Sequence, residues 1–277
     1  MRRRVVYLGT PAMAVPPLQA LVDAGHEVVL VITRVDKRRG RGGDLSPSPV
    51  KAAALELGLP VSHDLLDATT CGADLGVVVA YGRIIPTEVL ATVPMVNLHF
   101  SLLPRWRGAA PVERAILAGD TRTGVCLMQV AEGLDTGDVL DTVEVPLEPH
   151  TTADQLRRTL VQVGCDQLVR VLAGDLPQGE PQVGEATYAA KITPDDLRID
   201  WNAAPDVAHR QVRLGGAWTT FRGKRMKIVA AEPGVDPTGL VPGGGLAISV
   251  LQPEGKAPMA AVDFVRGARP TVDERFE

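Results

Sequence analysis

The chain has 277 residues, enough for two domains, and a hydrophobic content of 45% that is ordinary for a globular protein. Its formal net charge of -4 argues against a protein coated in basic surface, but leaves room for one local nucleic-acid-binding patch. Because the three cysteines are widely spaced and no run approaches the roughly 18 apolar residues of a membrane span, we expect a cytoplasmic protein without disulfides or membrane contact.

The first part of the chain alternates short apolar runs with helical segments. Nearly uninterrupted β-branched runs are typical of strands buried on both faces of a parallel sheet, and they occur at Val5–Leu8, Val28–Ile32, Leu75–Ala80 and Val125–Val130. Thr10 is predicted to cap the first helix, which ends at Gly25, and a second helix spans Pro49–Leu57. A capping box at Thr152 opens a longer helix that ends at Gly174. The βα repeats predict an α/β fold with a Rossmann-like, doubly wound, mostly parallel sheet.

The turn after the first strand, Gly9-Thr10-Pro11, superficially resembles a nucleotide-binding loop. It lacks the second and third glycines of a dinucleotide fingerprint, and Pro11 removes an N–H that a pyrophosphate needs. The sequence therefore predicts an ordinary strand-to-helix turn and no NAD.

The composition changes near residue 175. Residues 177–200 are polar and rich in proline and glycine, as in a linker between a domain at 1–176 and a domain at 201–277. The second domain contains short segments broken by glycine and proline, which are Thr219–Arg222, Arg225–Ala230, Leu246–Leu251 and Ala260–Val265. This spacing predicts a small β-barrel or sandwich.

The stretch 97–111, with the sequence NLHFSLLPRWRGAAP, is polar where a structural segment would be apolar. A strand-like lead-in places Asn97 and His99 two residues apart, so both side chains point to the same face. An amide donor beside an imidazole is a usual way to hold and protonate a developing oxyanion. The turn-rich LDTGD segment at 134–138 supplies carboxylates that can orient the imidazole.

These motifs resemble the folate-dependent formyltransferases. The words SLLPRWRGAAP and LDTGD are most similar to the members that formylate methionyl-tRNA, and TYAAKI, RIDW and QPEGKAPM extend the similarity over most of the chain. The resemblance implies that Asn97, His99 and Asp135 are the catalytic residues and that the C-terminal domain is an OB-like β-barrel. Asp138, three residues after Asp135, is then expected to be an exposed loop residue. It also implies a formyl group supplied by 10-formyltetrahydrofolate, with no metal required.

The resemblance assigns a separate role to Ser101, Leu102, Leu103 and Pro104. In the family this segment lies against the folate, and relatives with the LP word hold the Leu–Pro bond in the cis form. We therefore expect a cis Leu103–Pro104 bond and backbone amides that face the pterin.

A basic, glycine-rich segment from Arg34 to Lys51 is the candidate tRNA-binding element. It carries six basic and two acidic side chains in an acidic protein, without helical or strand periodicity. Such a loop suits contact with a phosphate backbone. The resemblance places a tRNA-contacting basic residue at Arg41, with Arg38 and Arg39 beside it, and implies charged initiator tRNA as the partner. A solvated surface loop is an equally simple interpretation of the charges alone.

Three functions are compatible with the sequence. The first is formylation of methionyl-tRNA, and the second is formylation of a small amine such as an amino-sugar nucleotide, which would not need the basic segment. The third is a non-catalytic RNA-binding module, which the intact Asn97, His99 and Asp135 disfavour.

Overall fold

The structure, a computed structural model, describes residues 1–39 and 44–277. Its strands are β1 (Arg4–Gly9), β2 (Glu27–Ile32), β3 (Lys37–Arg39), β4 (Asp44–Ser46), β5 (Val61–Ser62), β6 (Leu75–Val79), β7 (Met95–His99), β8 (Arg107–Gly108), β9 (Arg122–Gln129), β10 (Val139–Pro146), β11 (Tyr188–Ala189), β12 (Trp218–Phe221), β13 (Lys224–Pro233), β14 (Leu246–Pro253) and β15 (Met259–Ala260). Its α-helices are α1 (Val15–Asp23), α2 (Pro49–Glu56), α3 (Thr87–Leu90), α4 (Pro111–Ala118), α5 (Ala153–Leu172), α6 (Pro205–Arg213) and α7 (Ala261–Ala268). Short 3-10 helices cover Ala12–Ala14 and Leu65–Thr69. Among the described residues, no helix combines the length and apolar character that crossing a membrane requires.

The chain divides into two compact units. The first contains Met1–Val112, Arg122–Pro146 and Arg157–Ala190, and the second contains Glu113–Thr121, Leu147–Leu156 and Lys191–Glu277. Two short segments, Glu113–Thr121 and Leu147–Leu156, therefore belong to the unit that the C-terminal segment builds.

A seven-stranded sheet forms the centre of the first unit in the described part of the chain, in the order β10-β9-β7-β6-β1-β2-β5. The pairs from β7 to β5 are all parallel, as predicted for a Rossmann-like α/β fold. The strand predicted at Val125–Val130 is present as β9, but its predicted parallel direction was wrong. The strand β9 pairs antiparallel with both β7 and β10. An apolar run indicates that a strand is buried on both faces, as β9 is, but it does not indicate the direction of the strand.

The helix signals in the first 175 residues were mostly read correctly. The helix α2 begins at Pro49 after a Ser48 cap whose side chain accepts from the Lys51 amide. The capping box before α5 is present, since the Thr152 amide donates to Gln155 Oε1 (2.9 Å) and the Gln155 amide to Thr152 Oγ1 (3.3 Å). The Thr10 cap was wrong: its hydroxyl donates to the Tyr81 carbonyl, and a 3-10 turn precedes α1.

The second unit contains a four-stranded antiparallel sheet in the order β12-β13-β14-β15. Its core includes Phe221, Ile228, Ile248, Leu251 and Phe276. The predicted strand at Ala260–Val265 was wrong, because β15 ends at once and α7 follows. Apolar side chains recur there at helical spacing and pack on this core, and they are Ala261, Phe264, Val265 and Ala268.

Candidate active site

Asn97 and His99 lie at the carboxyl end of β7, in the middle of the seven-stranded sheet. This strand pairs parallel with β6 through Asn97 and antiparallel with β9 through both residues. The intervening Leu98 is buried in the core, so strand alternation turns Asn97 and His99 together to the opposite face. Loops at the carboxyl edge of an open parallel sheet are where ligands of such folds bind.

Each nitrogen of the His99 imidazole faces an oxygen atom of another residue. Nε2 lies 2.8 Å from the carbonyl oxygen of Trp106. Because a carbonyl oxygen only accepts, Nε2 carries the proton in this contact. Nδ1 lies 3.6 Å from Asp135 Oδ2, and only 6% of the His99 side chain is exposed. The distance exceeds a hydrogen bond but is within ion-pair range, and catalytic contacts commonly tighten when substrates bind.

Asp135 projects from the turn between β9 and β10. Its backbone is in the left-handed region, with φ of 50°, and its Oδ2 accepts a 2.7 Å hydrogen bond from the Gly108 amide. The turn closes tightly, since a side chain at Gly137 would meet the Gln129 carbonyl oxygen. Asp138, which was expected to be exposed, is partly buried, and its backbone carbonyl accepts from the Gln129 amide. The carboxylate nearest His99 is therefore Asp135 and not Asp138.

Gln182 belongs to this site, although no sequence pattern singles it out. Its Nε2 donates to the carbonyl oxygens of Asp135 (2.9 Å) and Gly137 (2.8 Å), and its Oε1 accepts from Arg107 Nη2 (2.7 Å). It therefore joins the loop after β7 to the turn that carries Asp135. A single glutamine in a polar, linker-like segment has no pattern by which this role could have been found.

The segment Ser101–Pro104 forms a tight turn after β7. The Leu103–Pro104 bond is cis, as expected. The Ser101 hydroxyl is fully buried and donates to the Arg105 carbonyl, so it closes the turn itself. Leu102, Leu103 and Pro104 are half-buried, which leaves apolar surface accessible beside the strand end.

The basic segment is less irregular than its sequence indicated. Strands β3 and β4 pair antiparallel, and Lys51 Nζ forms a 2.7 Å ion pair with Asp36. Arg38 is exposed on β3. Arg41 lies outside the described residues, as does the side chain of Arg39.

Comparison with known families decides the class of protein. The family model of the formyl transferases matches residues 3–172, and the model of the formyl transferase C-terminal domain matches residues 191–246. The chain belongs to the formyl transferase family. The methionyl-tRNA formyltransferase of Symbiobacterium thermophilum is 42% identical to this formyl transferase over 309 residues, which cover 99% of this chain and 95% of that protein.

Solved structures share the fold of this formyl transferase at low sequence identity. A methionyl-tRNA formyltransferase from Clostridium thermocellum has a TM-score of 0.63 at 15% identity, covering 91% of this chain and 99% of that chain. The sugar 3N-formyl transferase WlaRD, solved in the presence of dTDP and 5-N-formyl-THF, has a TM-score of 0.67 at 18% identity, covering 93% and 100%. At these identities the likeness supports the fold alone.

We expect Gln182→Ala to lower the turnover number of this formyl transferase by about tenfold, because Asp135 loses the donor that fixes its backbone. The KM values of both substrates should change little, since a positioning residue touches neither. Gln182→Glu should be as slow, because a carboxylate cannot donate to the two carbonyl oxygens.

The matched control for this prediction is Gln178→Ala, an exposed glutamine in the same segment. It should keep full turnover in steady-state assays. Wild-type turnover in Gln182→Glu would contradict the positioning role.

Proposed function

We propose that this formyl transferase transfers the formyl group of 10-formyltetrahydrofolate to the α-amino group of methionyl-tRNA, giving formylmethionyl-tRNA. The observation that carries the proposal is the 42% identity, over 99% of the chain, to an enzyme of that name. The words RWRGAAP and LDTGD, which resemble the tRNA enzymes, support the same acceptor. The reaction would take place in the cytoplasm, where aminoacylated tRNA is made and used.

The chemistry needs one bond to form and one to break. The amine nitrogen bonds to the formyl carbon, the bond from that carbon to the folate nitrogen breaks, and the proton lost by the amine ends on the departing nitrogen. In our proposal Asn97 donates its amide to the oxyanion of the tetrahedral intermediate. His99 takes the amine proton on Nδ1, the nitrogen not bonded to the Trp106 carbonyl, and passes it to the departing folate nitrogen. Asp135, 3.6 Å from Nδ1, orients the ring and stabilises the imidazolium.

The formyl donor is supplied by the folate co-substrate when it is bound. We propose that Ser101, Leu102, Leu103 and Pro104 hold it. The half-buried apolar surface of the last three suits the flat pterin, and the buried Ser101 hydroxyl fixes the turn beneath them. Asn97 and His99 lie directly before this turn in the chain, so the formyl carbon would be presented to both.

The tRNA would be held by positive charge. We propose that Arg38, Arg39 and Arg41 contact phosphates of the acceptor stem of charged initiator tRNA.

We also propose that the C-terminal domain is an OB-like β-barrel. The antiparallel sheet of the second unit supports a barrel of this kind. The proposed domains are 1–176 and 201–277, with a linker at 177–200.

The acceptor can be identified by direct competition. The protein is incubated with 10-formyltetrahydrofolate and equal amounts of methionyl-tRNA and a dTDP-linked amino sugar, and the formylated product is identified by mass spectrometry. We expect formylmethionyl-tRNA. Formylation of the sugar alone would replace the proposed acceptor, and no product from either amine would contradict the activity itself.

We expect Arg41→Ala to raise the KM for methionyl-tRNA with little change in the KM for the folate, because a phosphate contact is lost far from the formyl group. Each lost contact should also flatten the log–log dependence of tRNA affinity on salt by about 0.9. Arg39→Ala should do less if Arg41 alone contacts the stem. Unchanged tRNA kinetics after neutralising Arg38, Arg39 and Arg41 together would make this segment an ordinary solvated surface.

A further inference from the structure

A cavity of about 870 Å³ lies within the second unit, lined by residues from four separate segments, three of which supply the side chains of interest. His150 comes from the loop before α5, His209 from α6 and Glu232 from β13. None of the three takes part in the proposed formyl transfer, and no sequence motif had drawn attention to them.

The side chains of these residues converge on one point. Glu232 Oε2 lies 2.6 Å from His150 Nδ1 and 3.3 Å from His209 Nε2, so one carboxylate oxygen faces both rings. The nitrogen and oxygen atoms that the three residues offer all lie within 4.8 Å of one another. Two histidines and a glutamate brought together from distant parts of the chain are a donor set, and not merely a cluster of acidic residues.

We propose that His150, His209 and Glu232 bind a divalent zinc-like metal ion. Zinc takes imidazole nitrogen and carboxylate oxygen at about 2.0–2.1 Å in a tetrahedral arrangement, so its ligand atoms lie about 3.3 Å apart. The separation of His209 Nε2 from Glu232 Oε2 already has this value, 3.3 Å. The 2.6 Å contact to His150 must open by less than 1 Å, which is a small movement because His150 and Glu232 are both exposed.

Two guanidinium groups, those of Arg210 and Arg213, line the same cavity. Arg213 donates to the backbone carbonyl oxygens of Thr151 and Glu148, and Arg210 pairs with Asp206 at 3.0 Å, so each of them has a partner other than Glu232. The Glu232 carboxylate therefore stays directed at the two imidazole rings.

The role of the ion would be structural. It would tie residues 147–156 to α6 and to the C-terminal sheet, all of which belong to the second unit. With three protein ligands, the fourth position would be open to water. Because the ion binds the folded chain and not the unfolded one, it would raise thermal stability by an amount that grows with the logarithm of the free zinc concentration once the site is filled.

The test uses the full-length protein, treated with EDTA and then dialysed free of it. Titration with zinc chloride in a calorimeter should give one ion per chain. Cobalt(II) should give the visible absorption of a four-coordinate complex, and zinc should raise the thermal midpoint by several degrees. His150→Ala and Glu232→Gln change exposed side chains, so these variants should fold but bind zinc more weakly by a factor of at least roughly ten, a loss of about 1.4 kcal/mol or more.

The controls remove other groups that attract zinc. Glu148→Gln changes an exposed carboxylate two residues from His150, and Cys71→Ser removes the partly exposed thiol. Both should bind zinc as the parent does. Binding that is not saturable, or that is equally tight in His150→Ala and Glu232→Gln, would overturn the proposal, and loss of binding in Cys71→Ser would assign the ion to the thiol.

Discussion

Replacing His99 by alanine is expected to lower the turnover number of formyl transfer by about 10²–10⁴. The imidazole is nearly buried between the Trp106 carbonyl and the Asp135 carboxylate, and alanine offers no group there that can carry a proton. Steady-state kinetics with methionyl-tRNA and 10-formyltetrahydrofolate measure the loss. The affinity for the folate, measured by fluorescence titration, should stay within a few-fold because His99 acts on the proton and not on the pterin.

A matched control separates chemistry from folding. His63 is a partly buried histidine whose Nδ1 contacts the Thr33 carbonyl, and His63→Ala should keep nearly full turnover. If His99→Ala retained turnover within a factor of about ten, the proposed proton transfer would be wrong. If folate affinity fell in parallel, the residue would be holding the loop after β7 and not catalysing.

Asp135→Asn is expected to reduce turnover by about 10² or more. The substitution keeps the size of the side chain but removes the charge that faces His99 Nδ1. In the parent protein the Gly108 amide donates to the Asp135 carboxylate at 2.7 Å. In the variant the NH₂ group of asparagine can face that amide, and two donors cannot form a hydrogen bond. The ring of His99 then loses the partner that orients it. Both KM values should change much less than the turnover number.

The comparison that tests this assignment is Asp138→Asn, three residues along the same turn. Asp138 supports the sheet through its backbone, which the substitution leaves intact. Its variant should therefore keep turnover close to that of the parent. An equal loss from the two variants would mean that the charge of the whole turn matters, and a larger loss from Asp138→Asn would move the role to that residue.

The position of Asn97 and His99 on one face of a strand was predictable because its information is local. Asn97 and His99 share a face as a consequence of strand periodicity, and the apolar lead-in that makes the strand is adjacent in the sequence. The cis Leu103–Pro104 bond was expected from the resemblance, because the family shares the short sequence that contains it. The partnership with Asp135 came from the resemblance to that family, since nothing local says which carboxylate of LDTGD turns toward the histidine.

Gln182 and the direction of β9 were not predictable from local patterns. Gln182 acts by bridging Asp135 to Arg107, and both are far from it along the chain. The run Val125–Val130 is apolar because both faces of β9 are covered, which is equally true of a parallel and an antiparallel strand. Helix α7 was mistaken for a strand because a short apolar run fits both periodicities.

The amino-acid sequence by itself determined the α/β alternation of the first 175 residues, the family words and the Asn97–His99 pair. Each of these depends on residues within a few positions of one another, where backbone geometry fixes the relation between side chains. Only the tertiary structure decided which distant groups meet. Gln182 contacts the backbone of Asp135, and His150 meets His209 and Glu232. Each of those contacts joins residues that are far apart in the sequence. Which of them form depends on how whole helices and strands pack, and local sequence patterns carry no information on that packing.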